Sequence, residues 1–242
     1  MRFLLMEVII SLKLCYRDRQ AMFWSYLFPL MLLILFISTF GGGNPRAMSG
    51  ILSGVICISI MTGTLFGIGI EITSAREEGI LRRYQVTPLP KGAFVLGTII
   101  SRYVILMFSM LLLMGMANWL YRIEVKGDFG SLLLIFSFGT LTFSSIGFTI
   151  ASIAKTAHSA SAMANVVFMP LILLSGATIP RMFLPQWVQN IAGFLPATYL
   201  VDAFEEVIVF GGSIESVWTD LLVLFGFLCL ATVLSIKFFR WD

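Results

Sequence analysis

Residues 73–90 read TSAREEGILRRYQVTPLP. The run gathers five charged side chains, Arg76, Glu77, Glu78, Arg82 and Arg83, in a chain where charge is otherwise scarce. Apolar segments long enough to cross a bilayer flank it on both sides, so it must lie at a membrane surface. Of 242 residues, 58% are hydrophobic and 12% charged, against roughly 45 to 50% and about 25% in ordinary soluble domains. The apolar runs are continuous over about 20 residues, the length an α-helix needs to traverse a hydrocarbon core of about 30 Å. Barrel strands would be about half as long and would alternate.

Working outward from that run gives an all-α membrane protein, a single transmembrane domain over residues 1–242. Its six expected spans are 22–40, 49–72, 102–120, 131–154, 160–174 and 217–236. The breaker GGGNP, Gly41 to Pro45, separates the first two; the polar loop YRIEVKGDFG separates the third from the fourth, and KTAHSAS the fourth from the fifth. Residues 1–21 resemble a signal peptide only superficially. Glu7 and Lys13 interrupt the apolar stretch and no small-x-small cleavage site is present, so the segment reads as an interfacial amphipathic helix with Phe3, Leu4, Val8, Ile9 and Leu12 toward lipid or protein.

Orientation follows from the basic residues, because cytoplasmic flanks collect Lys and Arg. With both termini cytoplasmic, twelve of the 16 basic residues fall on inner flanks, among them Arg2, Lys13, Arg76, Arg82, Arg83, Arg102, Lys155 and Arg240. The outer flanks hold Arg46, Arg122, Lys126 and Arg181. The expected location is the cell membrane, with residues 73–90 on its cytoplasmic side.

Little in the chain points to catalysis. Cys15, Cys57 and Cys229 lack paired spacing, His158 stands alone in a short loop, and no phosphate-binding glycine loop occurs. Neither a metal site nor a catalytic residue is expected, and no nucleic-acid partner. The spans carry hydroxyls and amides where ionisable groups would mark a proton or ion path, so a secondary carrier is poorly supported. Their Ser and Thr residues, and the glycine pairs Gly50/Gly54 and Gly63/Gly67, read first as helix packing.

Inside the opening run, Ser74 and Glu77 have capping-box spacing, and Pro88 and Pro90 provide a stop, which predicts a short helix over 74–87. Ile80, Leu81 and Tyr84 share one side of it. A solvated connector and a docking element for a cytoplasmic partner both fit these physics.

REEGILRRYQVTPLP resembles the E-R-E-x-G-x-L-x-x-L-x-x-T-P element of the type-2 permease family of ATP-binding cassette exporters, matching at Arg76, Glu77, Gly79, Leu81, Thr87 and Pro88. Ala75 stands where the family often has its first Glu, and Tyr84 replaces an aliphatic residue. LLSGATIPRMFLPQWVQNIAGFLPATYLVDAF, residues 173–204, is similar to the same family's pattern between the last two spans. The resemblance implies that the first element is a coupling helix, with Ile80 and Tyr84 completing its contact surface. It implies a short re-entrant helix in an outer region, 180–204, where Pro185, Trp187 and Phe194 would form a gate.

Such permeases pair, here as a homodimer, and each half carries a separate nucleotide-binding ATPase subunit, two copies in all, that holds the ATP and Mg; this chain would bind no cofactor beyond surrounding lipid. The substrate path would be lined by the second and fifth spans, with Thr62, Phe66, Asn165, Phe168 and Met169 as candidates. These side chains suit a hydrophobic or amphipathic, drug or lipid-like substrate; a lipid-linked polysaccharide, or a carrier or channel without an ATPase, is the alternative.

Overall fold

The computed structural model describes residues 19–80, 91–179 and 184–238, together with residues 9, 13 and 17. The first long helix, α1, passes through Arg19–Met22, a π-helical turn Phe23–Leu27 and Phe28–Phe40. It is followed by α2 (Pro45–Glu77), α3 (Lys91–Tyr121), α4 (Phe129–Ile153) and α5 (Ala157–Leu174). Two shorter helices come next, α6 (Gln186–Ala192) and α7 (Pro196–Glu205), the latter continuing through a π-helical turn Glu206–Phe210. The last is α8 (Trp218–Phe238). No strand occurs among the described residues. Six helices, α1 to α5 and α8, are long and apolar enough to cross a membrane, so the expected six-span, all-α membrane architecture holds.

Local chemistry sets where several of these helices begin. Asn44 accepts the Arg46 N–H at 3.0 Å while Pro45 fills the first turn, where a missing N–H costs nothing. Asp128 accepts the Ser131 N–H at 2.7 Å. Thr156 and Ser159 form a reciprocal capping box, at 3.1 and 3.0 Å, that starts α5. Pro196 opens α7.

The core forms around α2, which is packed by α1, α3, α4, α5 and α7. Leu52, Ile56, Ile58, Met61, Leu65, Ile68 and Ile72 are fully buried along its length; an apolar surface on every side is what a central helix requires. Gly54 lets the Ala177 backbone touch α2, and Gly67 leaves room for the Arg102 guanidinium. The glycine pairs therefore serve close packing, as their spacing suggested. A second seam joins α4 to α8. Thr142 and Thr149 donate to the Leu224 and Ala231 carbonyls, both at 3.1 Å, Ser145 and Thr232 share a hydrogen bond of 3.1 Å, and Ser152 reaches the Ser235 carbonyl at 3.4 Å. The spacing of three, four and three residues keeps these hydroxyls on one helical face.

Two expectations need correction. The capping box at Ser74 does not form, because α2 runs through it to Glu77 and the Ser74 carbonyl accepts the Glu78 N–H at 2.9 Å. An N-cap must leave helical geometry, and nothing in Ile72–Thr73–Ser74 makes the helix do so. The break comes instead at Gly79, at φ 70°, a conformation that glycine adopts without steric cost, and Ile80 is helical again. Leu81, Tyr84, Thr87 and Pro88, the rest of the expected coupling helix, lie outside the described residues. The third helix also starts earlier than expected, at Lys91, which places Arg102 well inside it. Arg102 lies there nearly buried, paired with Glu71 of α2 at 2.6 Å, and that partner is what allows a cation to be buried between helices. Of the interfacial helix expected over 1–21, Ile9, Lys13 and Arg17 are helical and exposed, as is Gln20; most of the remainder lies outside the described residues.

Candidate functional site

At 33 residues, α2 is about 50 Å long, well beyond a hydrocarbon core of about 30 Å, so its ends reach past that core. At the Glu77 end, two neighbouring side chains grip the corner between α4 and α5. Arg76 Nη1 donates to the Ala151 carbonyl at 2.9 Å and the Ala154 carbonyl at 3.1 Å. Ala151 belongs to the last turn of α4 and Ala154 caps it, positions whose carbonyls lack intrahelical partners. Glu77 Oε2 accepts the Ala157 N–H at 2.8 Å, a donor of the first turn of α5 that has no partner within its own helix. Each charge meets the helix end whose dipole favours it, a cation at a C-terminus and an anion at an N-terminus. Only residues 154–156 separate those two helices. Arg76 and Glu77, expected to face a cytoplasmic partner, thus have partners within the chain.

Of the substrate-path candidates, the structure brings Phe66 and Phe168 together, edge to face with ring centroids 5.5 Å apart, which locks α2 to α5. Thr62 donates to the Ile58 carbonyl at 2.8 Å and Asn165 to the Ser161 carbonyl at 3.0 Å, each within its own helix. Met169 is exposed on α5, beside Val166 and Leu173. The five residues therefore divide between a buried contact and an outward surface.

At the opposite end of the bundle, Pro185 precedes the short helix α6, as expected. The apolar side chains Trp187, Val188, Ile191 and Phe194 do not pack as one face. Val188 and Ala192 are buried, whereas Trp187 is 66% and Phe194 80% exposed. The side that packs is set by α7: Thr198 Oγ1 donates to the Ala192 carbonyl and Tyr199 OH to the Gly193 carbonyl, both at 2.7 Å. A cavity of about 300 Å³ is lined by Arg46, Tyr121, Arg122, Glu124, Lys126 and Val209 among others.

Sequence reasoning missed Asp202, Glu205 and Glu206, all half-buried on α7 and its π-helical extension, with the Glu205 carboxylate facing Gly50 of α2. Acids at i, i+3 and i+4 in an otherwise apolar helix were the available signal. It was overlooked because α7 is too short to count as a span. Among the described residues no cluster of His, Cys, Asp and Glu has the makings of a metal site.

The sequence pattern defining the ABC-2 type transporter family matches residues 7–209. The chain belongs to the ABC-2 type transporter family. Its relatives include a protein of Escherichia coli strain K12 named probable multidrug ABC transporter permease YbhR, 24% identical over 167 residues that cover 69% of this chain and 45% of the relative. The transport permease YvfS of Bacillus subtilis strain 168 is 26% identical over 240 residues, 97% of this chain and 95% of its own length. The linearmycin resistance permease protein LnrN of the same strain is 28% identical over 167 residues, 68% of this chain and 42% of its own. The chain spans under half the length of YbhR and LnrN and nearly all of YvfS. This ABC-2 chain is thus a membrane subunit of the permease type, and the Arg76–Glu77 grip, the Phe66–Phe168 contact and the exposed Trp187 all fall within the matched region.

Proposed function

We propose that the chain is the membrane-spanning half of an ATP-driven exporter that moves hydrophobic or amphipathic compounds outward, with ATP and Mg bound by a separate nucleotide-binding subunit. The observation that carries this reading is the family match over residues 7–209, on a bundle of six spans that ends α2 in the motif-bearing Arg76–Glu77 segment. Residues 80–88 would dock to that subunit on the cytoplasmic face. Two copies of the chain and two ATPase subunits would make the working unit. Names of relatives that refer to multidrug transport and linearmycin resistance support a drug-like substrate, as does the apolar character of Phe66, Phe168 and Met169.

Asp202, Glu205 and Glu206 favour one second reading, a proton-driven carrier, since embedded carboxylates can serve as proton relays. Reconstitution separates the two. The chain is placed in proteoliposomes with and without its nucleotide-binding subunit, and movement of the dye Hoechst 33342 is followed under Mg-ATP or under an imposed pH gradient. Transport that needs both the subunit and ATP supports the exporter; transport by the chain alone, driven by the gradient, overturns it.

A further inference from the structure

The grip at the end of α2 accounts for charges that a docking surface was expected to explain. We propose that Arg76 and Glu77 are positioning residues that transmit movement of the Glu77 end of α2 to the fourth and fifth spans, and that they do so through the chain's own α4–α5 corner and not by pairing with the ATPase. The inference rests on the exporter reading for its functional consequence, though the clasp itself is a property of this chain alone.

Three features carry it. Adjacent residues hold opposite sides of one corner, Arg76 the last carbonyls of α4 and Glu77 the first N–H of α5. The backbone changes course two residues later, at Gly79, so the clasp stands immediately inside the turn that ends α2. A second attachment lies three turns back along α2, where Phe66 meets Phe168. With two points of contact, a displacement of the Glu77 end of α2 acts on α5 as a lever and tilts it, where a single contact would let the helices pivot independently.

The proposal makes an unusual demand on Glu77. Its bond to the Ala157 N–H needs an acceptor oxygen, to which the charge adds only the smaller dipole contribution, so Glu77→Gln keeps the clasp while Glu77→Ala removes it. A residue that docks by charge would show the opposite sensitivity, with Gln nearly as damaging as Ala. On the other side of the corner, Arg76→Lys retains a donor for the carbonyls and Arg76→Ala does not.

Two measurements test this. In lipid nanodiscs, hydrogen–deuterium exchange over residues 154–160 of the chain alone should accelerate about tenfold in Glu77→Ala, since freeing an N-terminal cap opens the first turn, and remain within about twofold of wild type in Glu77→Gln. In the complex with its nucleotide-binding subunit, all four variants should retain that subunit on purification. Hoechst 33342 moved per ATP hydrolysed should fall about tenfold in Glu77→Ala and Arg76→Ala, in the range of ordinary coupling energies between sites, and recover in Glu77→Gln and Arg76→Lys. Loss of the subunit from Glu77→Gln, or unchanged transport yield in both alanine variants, would overturn the proposal. Wild-type chain that moves dye with no ATPase subunit would sink the exporter reading instead, and the exchange measurement would still decide whether the clasp exists.

Discussion

At Gly54, α2 lies close against another stretch of backbone. A Cβ there would overlap the carbonyl oxygen of Ala177, which, unlike the tip of a side chain, cannot swing aside. Gly54→Ala should therefore destabilise the bundle by about 1 to 3 kcal/mol, the usual penalty for overpacking. Gly115, with open space around the same position, provides the control, and Gly115→Ala should be neutral or stabilising by up to about 1 kcal/mol. Thermal denaturation of both variants in detergent measures the contrast. Asp128 makes a prediction about pH. The Ser131 hydroxyl, and after it the Ser131 backbone N–H, hold its carboxyl below the ordinary carboxylate range. A depressed carboxylate contributes stability that is complete above the unfolded-state value and is lost as pH falls through the folded-state value. Asn remains a good cap without a titrating proton, so Asp128→Asn should flatten that part of the acid limb of the stability curve, read from unfolding midpoints between about pH 2 and pH 5.

Among the elements, α6 is the shortest of the named helices and carries an exposed tryptophan, Trp187. Trp187 faces away from the bundle while Val188 and Ala192 anchor the helix, and Thr198 and Tyr199 pin its C-terminal end. Trp187→Ala should accordingly change fold stability by no more than about 0.5 kcal/mol. An effect on dye transport or on ATP turnover would then come from an outer gate; a stability loss of several kcal/mol would make Trp187 a folding anchor instead. Elements of this kind also mark how far the sequence could be read. Six spans were legible because length and continuous hydropathy are properties of one segment at a time. The boundary at Ser74 was misread because a capping box signals a start only if the preceding helix has stopped, and α2 stops at Gly79. That hydroxyls of the fourth span serve helix packing was visible in its composition, but which of them reach a partner, and which helix that is, depends on the tertiary arrangement. The partners of Arg76 and Glu77 are remote in sequence for the same reason: the corner at residues 154–156 comes beside them only after α4 has crossed back along α2.

At the scale of the whole molecule, the sidedness of the bundle connects docking, clasp and gate, because each has meaning only if the Glu77 end faces the cytoplasm. The fold itself sorts the chain by end. Asn44, Arg122, Asp128 and Trp187 belong to one end, and Arg76, Lys155 and His158 to the other. For the sides we propose the assignment that charge gives, with the end rich in Lys and Arg inside. Cysteine labelling in intact cells tests the assignment. Positions must be exposed and free of packing roles, which rules out Gly127, where any side chain would strike Val207. Glu124 and Asn190 at one end and Lys155 and His158 at the other meet both conditions, being exposed. In a background lacking Cys15, Cys57 and Cys229, cysteines replacing Glu124 and Asn190 should react with a membrane-impermeant maleimide added outside. Those replacing Lys155 and His158 should react only after the cells are permeabilised. Labelling of the second pair from outside would invert the molecule and remove the cytoplasmic clasp and docking segment together. Labelling of both pairs from outside would mean that the bundle inserts in two orientations, and a single coupling direction could not then be assigned to it.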